Sequence, residues 1–263
     1  MPIFLLSIIL FSQSLLACKL KPDLQFYSLS GPVTLMLTEL QLLKLPEIQG
    51  VSVFHPIAKN YSGEVLPGGV YLGTKTLNKF TNKIVFFDES QELQRILKSH
   101  GSKAVEIKSR GLIPLDVSKV VVEKLKPFTL NCETQFQKLL QQHELLLQKL
   151  KALIPPSKTF LFFLGNLGIR SPELLFVNDG VVKWLTREGI IKTYPSDLAY
   201  VNWSPKILQS LPRDHVKVGM KDSGREEVKQ VSKGKGFYNL TYPGALIPGI
   251  GQVNGLIFLF ESI

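Results

Sequence analysis

The residues of this 263-residue chain best suited to chemistry are two cysteines, Cys18 and Cys132, and four histidines, His55, His100, His143 and His215. Thiol catalysis by Cys132 would need a neighbouring base and an exposed sulfur. Its place at the start of a long amphipathic stretch points instead to packing. A metal centre needs about four convergent ligands, yet only His55 stands in a loop. His100 and His143 fall on helical patterns and His215 opens a strand, so no metal site is expected. The chain has no G-x-S-x-G, no H-E-x-x-H and no Walker lysine loop. GIGQVNG, Gly249 to Gly255, lacks a third glycine at the spacing of a dinucleotide fingerprint and the βαβ unit that should follow it. The reading is therefore not an enzyme and no cofactor.

Cys18 closes a different kind of signal. Pro2 to Ala17 carries no charge and is interrupted by Ser12, Gln13 and Ser14. It is shorter than the roughly 20 apolar residues that cross a bilayer. It has the build of a secretory signal, with an apolar centre, a small last residue and a polar chain after it. Leu15-Leu16-Ala17-Cys18 resembles the bacterial lipobox, which implies removal of residues 1–17 and a lipidated Cys18 as the membrane anchor. Lys19 rather than Asp after the cysteine implies the outer membrane in a Gram-negative source. The segment before Cys18 lacks Lys and Arg, so a signal peptide cut nearby with an unmodified Cys18 stays open. Export makes a Cys18–Cys132 disulfide possible, whereas acylation would leave Cys132 a buried or free thiol.

Hydrophobic residues make up 44% of the chain and charged ones 20%, which is a globular composition. The length suits one large domain or two lobes, since single cores stop growing near about 250–300 residues. The net charge of +10 is scattered, with no basic helix and no RNA-binding or zinc-finger signature, so no nucleic-acid partner is expected. A basic surface on an exported protein favours anionic lipid, envelope polymer or an anionic ligand.

From Leu24 onward short apolar runs alternate with amphipathic stretches, the pattern of an α/β fold. LQFYSLS, QGVSVF, NKIVFFD and KAVEI read as strands. PVTLMLTELQL, ESQELQRILKSHG and PLDVSKVVVEKLK read as helices, the second stopping at Gly101. Between about Asn131 and Leu153, Phe136, Leu139, Leu140, His143, Leu147 and Leu150 share one face at helical spacing, and Pro155-Pro156 ends the run. Afterwards KTFLFFLG and HVKVGM read as strands, and GVVKWLTREG, SPKILQSL and QVNGLIFLFES as helices. The expected layout is an N-terminal α/β lobe over 18–127, one interlobe helix within 128–155, and a C-terminal α/β lobe over 156–263.

In this order and spacing the chain resembles the class III, helical-backbone substrate-binding proteins of bacterial ABC importers. LQFYSLSGPVTLMLTEL resembles the family's opening strand, Ser-rich turn and helix, QGVSVF its "vvGvs" strand, FTNKIVFFD its "LKPDLVI" and ILKSHGSKAVEI its "L...GI.V". DGVVKWLTREGIIKT resembles the second-lobe helix that ends in "aGg.N". The resemblance implies a monomer that binds a metal chelate, siderophore, cobalamin or haem-like ligand in a cleft between two lobes, formed by loops at the carboxyl ends of strands. Those loops contain Phe54, His55, Tyr61, Asp88, Arg110, Asn166, Arg170, Tyr194, Trp203 and Tyr242. Aromatic faces supply contact area at low entropic cost, and Arg110 and Arg170 suit a bidentate grip on carboxylate or phosphate.

The same resemblance implies a glutamate on each lobe that meets arginines of the permease. Counting back from NKIVFFD and from HVKVGM places Lys75 and Lys206 at those positions. Both reverse the charge, so the expected partner is a permease with acidic residues there, or none. An envelope interaction or sensing protein that keeps the scaffold is the alternative.

Overall fold

The computed structural model describes residues 17–52, 61, 63–66, 72–155, 159–167, 174–177, 180–192, 200–203, 214–223 and 228–263, with backbone alone for 174–177 and 200–203. The first lobe begins with β1 (Lys19–Leu20), β2 (Phe26–Leu29), α1 (Gly31–Glu39), β3 (Ile48–Ser52), β4 (Glu64–Leu66) and α2 (Thr74–Asn78). It continues with β5 (Ile84–Asp88), α3 (Gln91–Ser99), β6 (Lys103–Ile107), α4 (Pro114–Leu125), a 3-10 turn (Lys126–Phe128) and β7 (Thr129–Leu130). Its sheet has the order β4-β3-β2-β5-β6, and every neighbouring pair is parallel. Parallel strands are covered on both faces, which is why Ile84 to Phe87 are apolar and buried without a break. Ser90 caps α3 by accepting from the Leu93 amide at 3.2 Å, and Gly101, at φ +72°, takes the left-handed turn after it.

The connecting helix α5 (Glu133–Leu153) buries the anticipated stripe, but it divides that stripe between two cores. Phe136 and Leu139 pack into the first lobe with Phe26, Val121 and Phe128. Leu147 and Leu150 pack into the second with Phe160, Trp184 and Phe260. His143 lies between the halves. The helix starts five residues inside the expected boundary of 128, because β7 and its approach occupy the chain up to Leu130.

The second lobe contains β8 (Phe160–Leu164), β9 (Leu174–Val177), α6 (Val181–Arg187), β10 (Tyr200–Trp203), β11 (Val216–Lys221), β12 (Gln230–Gly234), β13 (Phe237–Thr241) and α7 (Ile250–Ser262). Its sheet runs β10-β9-β8-β11-β13-β12. β11 is parallel to β8 and β13, whereas β9, β10 and β12 are antiparallel to their neighbours. The stretch SPKILQSL, expected as a helix, lies outside the described residues.

One expectation is corrected here. Cys18 and Cys132 form a disulfide beside the β1–β7 pairing. A sulfur bonded to sulfur carries no thioether, so in this structure Cys18 is not the acylated residue, and Cys132 is not a free thiol. The bond closes almost the whole first lobe into a covalent ring, since the two residues are 114 apart. Among the described residues no helix is long and apolar enough to cross a membrane.

Candidate functional site: the strand ends between the lobes

The carboxyl ends of the parallel strands hold the candidate site. In the first sheet the chain moves outward from β2 to β3 and β4 on one side and through β5 to β6 on the other. The gap between β2 and β5 is thus the topological switch point, where open α/β sheets bind ligands. Asp88, the last residue of β5, reaches across it. Its Oδ1 accepts from Ser30 Oγ at 2.6 Å and its Oδ2 from the Gly31 amide at 3.3 Å, at the first turn of α1. Ser28, Ser30 and Thr34 are buried. They satisfy one another: Ser28 Oγ donates to the Ser30 carbonyl at 3.1 Å and meets Thr34 Oγ1 at 2.8 Å, and Thr34 Oγ1 is 3.0 Å from the Ser30 carbonyl. Burial raises the Asp88 pKa, and the Ser30 and Gly31 hydrogen bonds lower it by less.

The second lobe repeats the device. Asp222 follows β11, and both its carboxylate oxygens accept from the Gly244 amide, at 3.1 and 3.0 Å, in the loop between β13 and α7. In each lobe an aspartate at the end of one parallel strand fixes the loop that leaves its neighbour. Sequence reasoning missed Asp222. Its signal was an acid at the carboxyl end of a strand, close to the position that Asp88 holds.

These two loops touch. A β-carbon built on Gly31 would lie 2.8 Å from Ile247 Cγ2, and one on Gly251 would lie 2.9 Å from Leu35. Val117 of α4 sits against Gly249 in the same way, at 3.1 Å. The lobes therefore meet directly at these strand-end loops through glycines.

The remaining anticipated residues divide. Asn166 lies in the turn after β8, and its buried Oδ1 has no hydrogen-bond partner among the described residues. Asn239 holds this turn, accepting from the Leu167 amide at 2.7 Å and donating to the Leu167 carbonyl at 3.0 Å. Tyr61 is half-buried against the first core, its hydroxyl likewise unpaired, and burial pushes its pKa up to about 12 with help from Tyr27 and Glu64. Arg110 is exposed in the turn after β6. Tyr242 packs on Phe258 of α7, with ring centroids 5.5 Å apart, beneath the Lys229 ammonium; it braces the second lobe. Trp203 ends strand β10 opposite Leu174 and so belongs to a sheet rather than a loop. Phe54, His55, Arg170 and Tyr194 lie outside the described residues, as does Lys206. Lys75 is exposed on α2. No group of three or more His, Cys, Asp or Glu among the described residues is placed to hold a metal.

One arrangement has the outline of a hydrolase triad. Ser118 Oγ lies 2.8 Å from His143 Nδ1, and His143 Nε2 lies 3.0 Å from Glu39 Oε2. A carboxylate only accepts, so Nε2 carries the proton. Its setting is structural. Ser118 sits in the interior of α4 within reach of the Pro114 carbonyl at 3.2 Å, and Ser118 and His143 are buried. The adjoining cavity of about 10 Å³ has the room of roughly one water molecule. The three side chains tie α1, α4 and α5 together.

No protein-family model matches the chain, and no curated protein sequence does. Solved structures do. The periplasmic heme binding protein HutB of Vibrio cholerae superposes with a TM-score of 0.67 at 14% identity, over 91% of this chain and 98% of that one. A periplasmic heme binding protein from Pseudomonas aeruginosa gives 0.65 at 15% identity, over 90% and 92%. A possible iron-binding periplasmic solute-binding protein from Staphylococcus epidermidis gives 0.61 at 18% identity, over 90% and 97%. The chain has the fold of these two-lobed periplasmic solute-binding proteins.

Proposed function

We propose that this protein is an exported solute-binding protein that captures a small ligand between its lobes and releases it unchanged. The carrying observation is the pair of facing strand-end loops, Ser30–Gly31 held by Asp88 and Gly244 held by Asp222, which abut at Gly31 and Ile247. Asp88 and Asp222 each spend their carboxylate oxygens on holding a loop backbone in place, which suits binding rather than reaction. The structural likenesses, in which the neighbours bind heme or iron, favour a metal chelate, siderophore, cobalamin or haem-like ligand. A periplasmic or envelope location fits the disulfide, which needs an oxidising compartment. With the Cys18 sulfur engaged, lipid anchoring at that residue requires a second, reduced population.

The test is native mass spectrometry of protein purified from its own source, followed by thermal shifts with haem, cobalamins and ferric siderophores. A co-purifying ligand or a saturable shift supports the reading. The absence of both would favour the second reading, an envelope interaction protein that keeps the scaffold without the ligand.

Lys75 gives that second reading its specific support. It stands exposed on α2, and with Lys206 it would present positive charge where the class III resemblance implies glutamate. Like charges across an interface cost several kcal/mol. Docking on a permease bearing arginines there should therefore be weak, and Lys75→Glu with Lys206→Glu should strengthen it. Tight docking of the unaltered protein, lost on the double change, would refute this.

A further inference from the structure

We propose that the pole of the first lobe formed by the amino ends of its strands is a contact surface for an anionic lipid bilayer. Because every strand of the first sheet runs parallel to its neighbours, all the amino ends lie on one side, opposite the carboxyl ends that hold the candidate site. On that side the chain places Lys19 and Lys21 in and beside β1, Lys83 just before β5, Lys103 as the first residue of β6, and Lys126 in the 3-10 turn after α4. Lys19, Lys103 and Lys126 are exposed, and Lys21 and Lys83 are half-buried.

Phe128 gathers them. Its carbonyl accepts from the Lys21 amide at 2.9 Å, and its ring lies beneath the Lys103 ammonium, 4.9 Å from the centroid. Lys126 opens the same 3-10 turn. The Lys103 amide donates to the Lys83 carbonyl at 2.8 Å, and the Lys83 ammonium donates to the side chain of Gln25, just ahead of β2. Lys19 stands opposite Leu130 across β1 and β7. The five lysines therefore share one pole, held by backbone bonds and by the Cys18–Cys132 disulfide beside them.

Among the described residues none of the five makes an ion pair. The acids of the same pole are Asp23 before β2, Glu47 before β3 and Glu133 at the start of α5, fewer than the lysines, and Glu64 is paired with Lys79. Charges spread over a face meet an extended anionic surface better than a single small ion, which can touch only one or two of them. Each lysine brought to an anionic bilayer strengthens binding about fivefold, and the attraction fades within a Debye length. The chain also enters the fold here, at Cys18, directly after the uncharged apolar run Pro2 to Ala17. A sequence suited to hydrocarbon thus adjoins the lysines, which favours a bilayer over a soluble polyanion. Seated in this way, the molecule holds its Asp88–Ser30 loop roughly 17 Å, one strand length, from the lysines, on the side away from the lipid.

The test is sedimentation of the protein from its own source with vesicles of phosphatidylcholine alone and of phosphatidylcholine mixed equally with phosphatidylglycerol. Binding should require phosphatidylglycerol and weaken as salt is raised. Lys83→Gln with Lys103→Gln and Lys126→Gln should lower the partition coefficient about a hundredfold, and the same three positions changed to Arg should keep it. Lys183→Gln with Lys192→Gln and Lys235→Gln, all exposed in the second lobe, remove the same charge and should lower it by less than about fivefold. Urea midpoints confirm that each variant is folded. No binding to the mixed vesicles, equal binding to phosphatidylcholine alone, or an equal loss in the second-lobe variant overturns the proposal. Soluble polyphosphate that binds as tightly as the mixed vesicles at matched phosphate concentration also overturns it and assigns the pole to a polyanion. The haem, cobalamin and siderophore panel is read apart from this, since the pole and the candidate site lie at opposite ends of the sheet.

Discussion

Ser30 Oγ donates to Asp88 Oδ1 across 2.6 Å, joining residues 58 apart in sequence at the switch point of the first sheet. The contact keeps the ends of β2 and β5 in register and leaves Asp88 desolvated. Its raised pKa fixes the sign of a pH effect. The folded state holds the Asp88 proton more tightly than the unfolded chain, so this group's contribution is fully present below the ordinary carboxylate value of 3.8. It is lost as pH rises through the folded value. The stability difference between wild type and Asp88→Asn should therefore shift against the wild type from pH 3 to 7, as measured by urea midpoints at each pH. A difference that does not change with pH would exclude a desolvated Asp88.

Tyr61 gives a second, opposite kind of test. Its hydroxyl is buried without a partner among the described residues, and an unsatisfied buried hydroxyl costs about 1–3 kcal/mol. Tyr61→Phe should leave stability unchanged or raise it by about 1 kcal/mol. Ultraviolet titration of the wild type should show one phenol that ionises near 12 and is missing from the variant. Stability from this group is present below the usual phenol pKa of 10.0 and is lost as pH rises through about 12.

The Cys18–Cys132 bond predicts linked peptides in a non-reducing digest of protein from its own source, with no acyl mass on the Cys18 peptide. Cys132→Ser should lower stability by about 2–5 kcal/mol, the usual cost of losing a native disulfide. If reduction of the wild type leaves the unfolding midpoint unmoved, the bond is not formed in that protein.

Gly31 and Ile247 predict a wedge. Gly31→Ala places a methyl group 2.8 Å from Ile247 Cγ2, and overpacking of this kind costs about 1–3 kcal/mol. Adding Ile247→Ala should recover more stability than it costs alone. Denaturation of the two single variants and the double variant measures that coupling, and simple additivity would show that the lobes do not meet there.

Buried parallel strands announce themselves, so IVFFD and FLFFL were legible as strands, and the Phe136 to Leu150 stripe as a helix with its end at Pro155. The edge ribbon of β12 and β13 was not. Gln230 to Gly234 is a largely exposed edge strand, and VKQVSKG has the polar composition of a loop. Asp88 was legible as a strand-end acid. Its bond to Ser30, like the contact between His143 and Glu39, joins positions that no local periodicity relates. Cys18 was ambiguous for a physical reason: the same sulfur suits a thioether at the end of a signal and a disulfide to Cys132, and only the spatial closeness of β1 to the start of α5 separates the two.

The division of the α5 stripe bears on how the molecule comes apart. Phe136 and Leu139 wall one core and Leu147 and Leu150 the other, so neither lobe can melt without stripping half of a helix that the other still needs. Excising either lobe at residue 155 or 132 would leave the remainder with an open apolar flank. Heating the intact chain should give a single calorimetric peak whose van't Hoff and calorimetric enthalpies agree. The spacer between the lobes thus makes their unfolding one event.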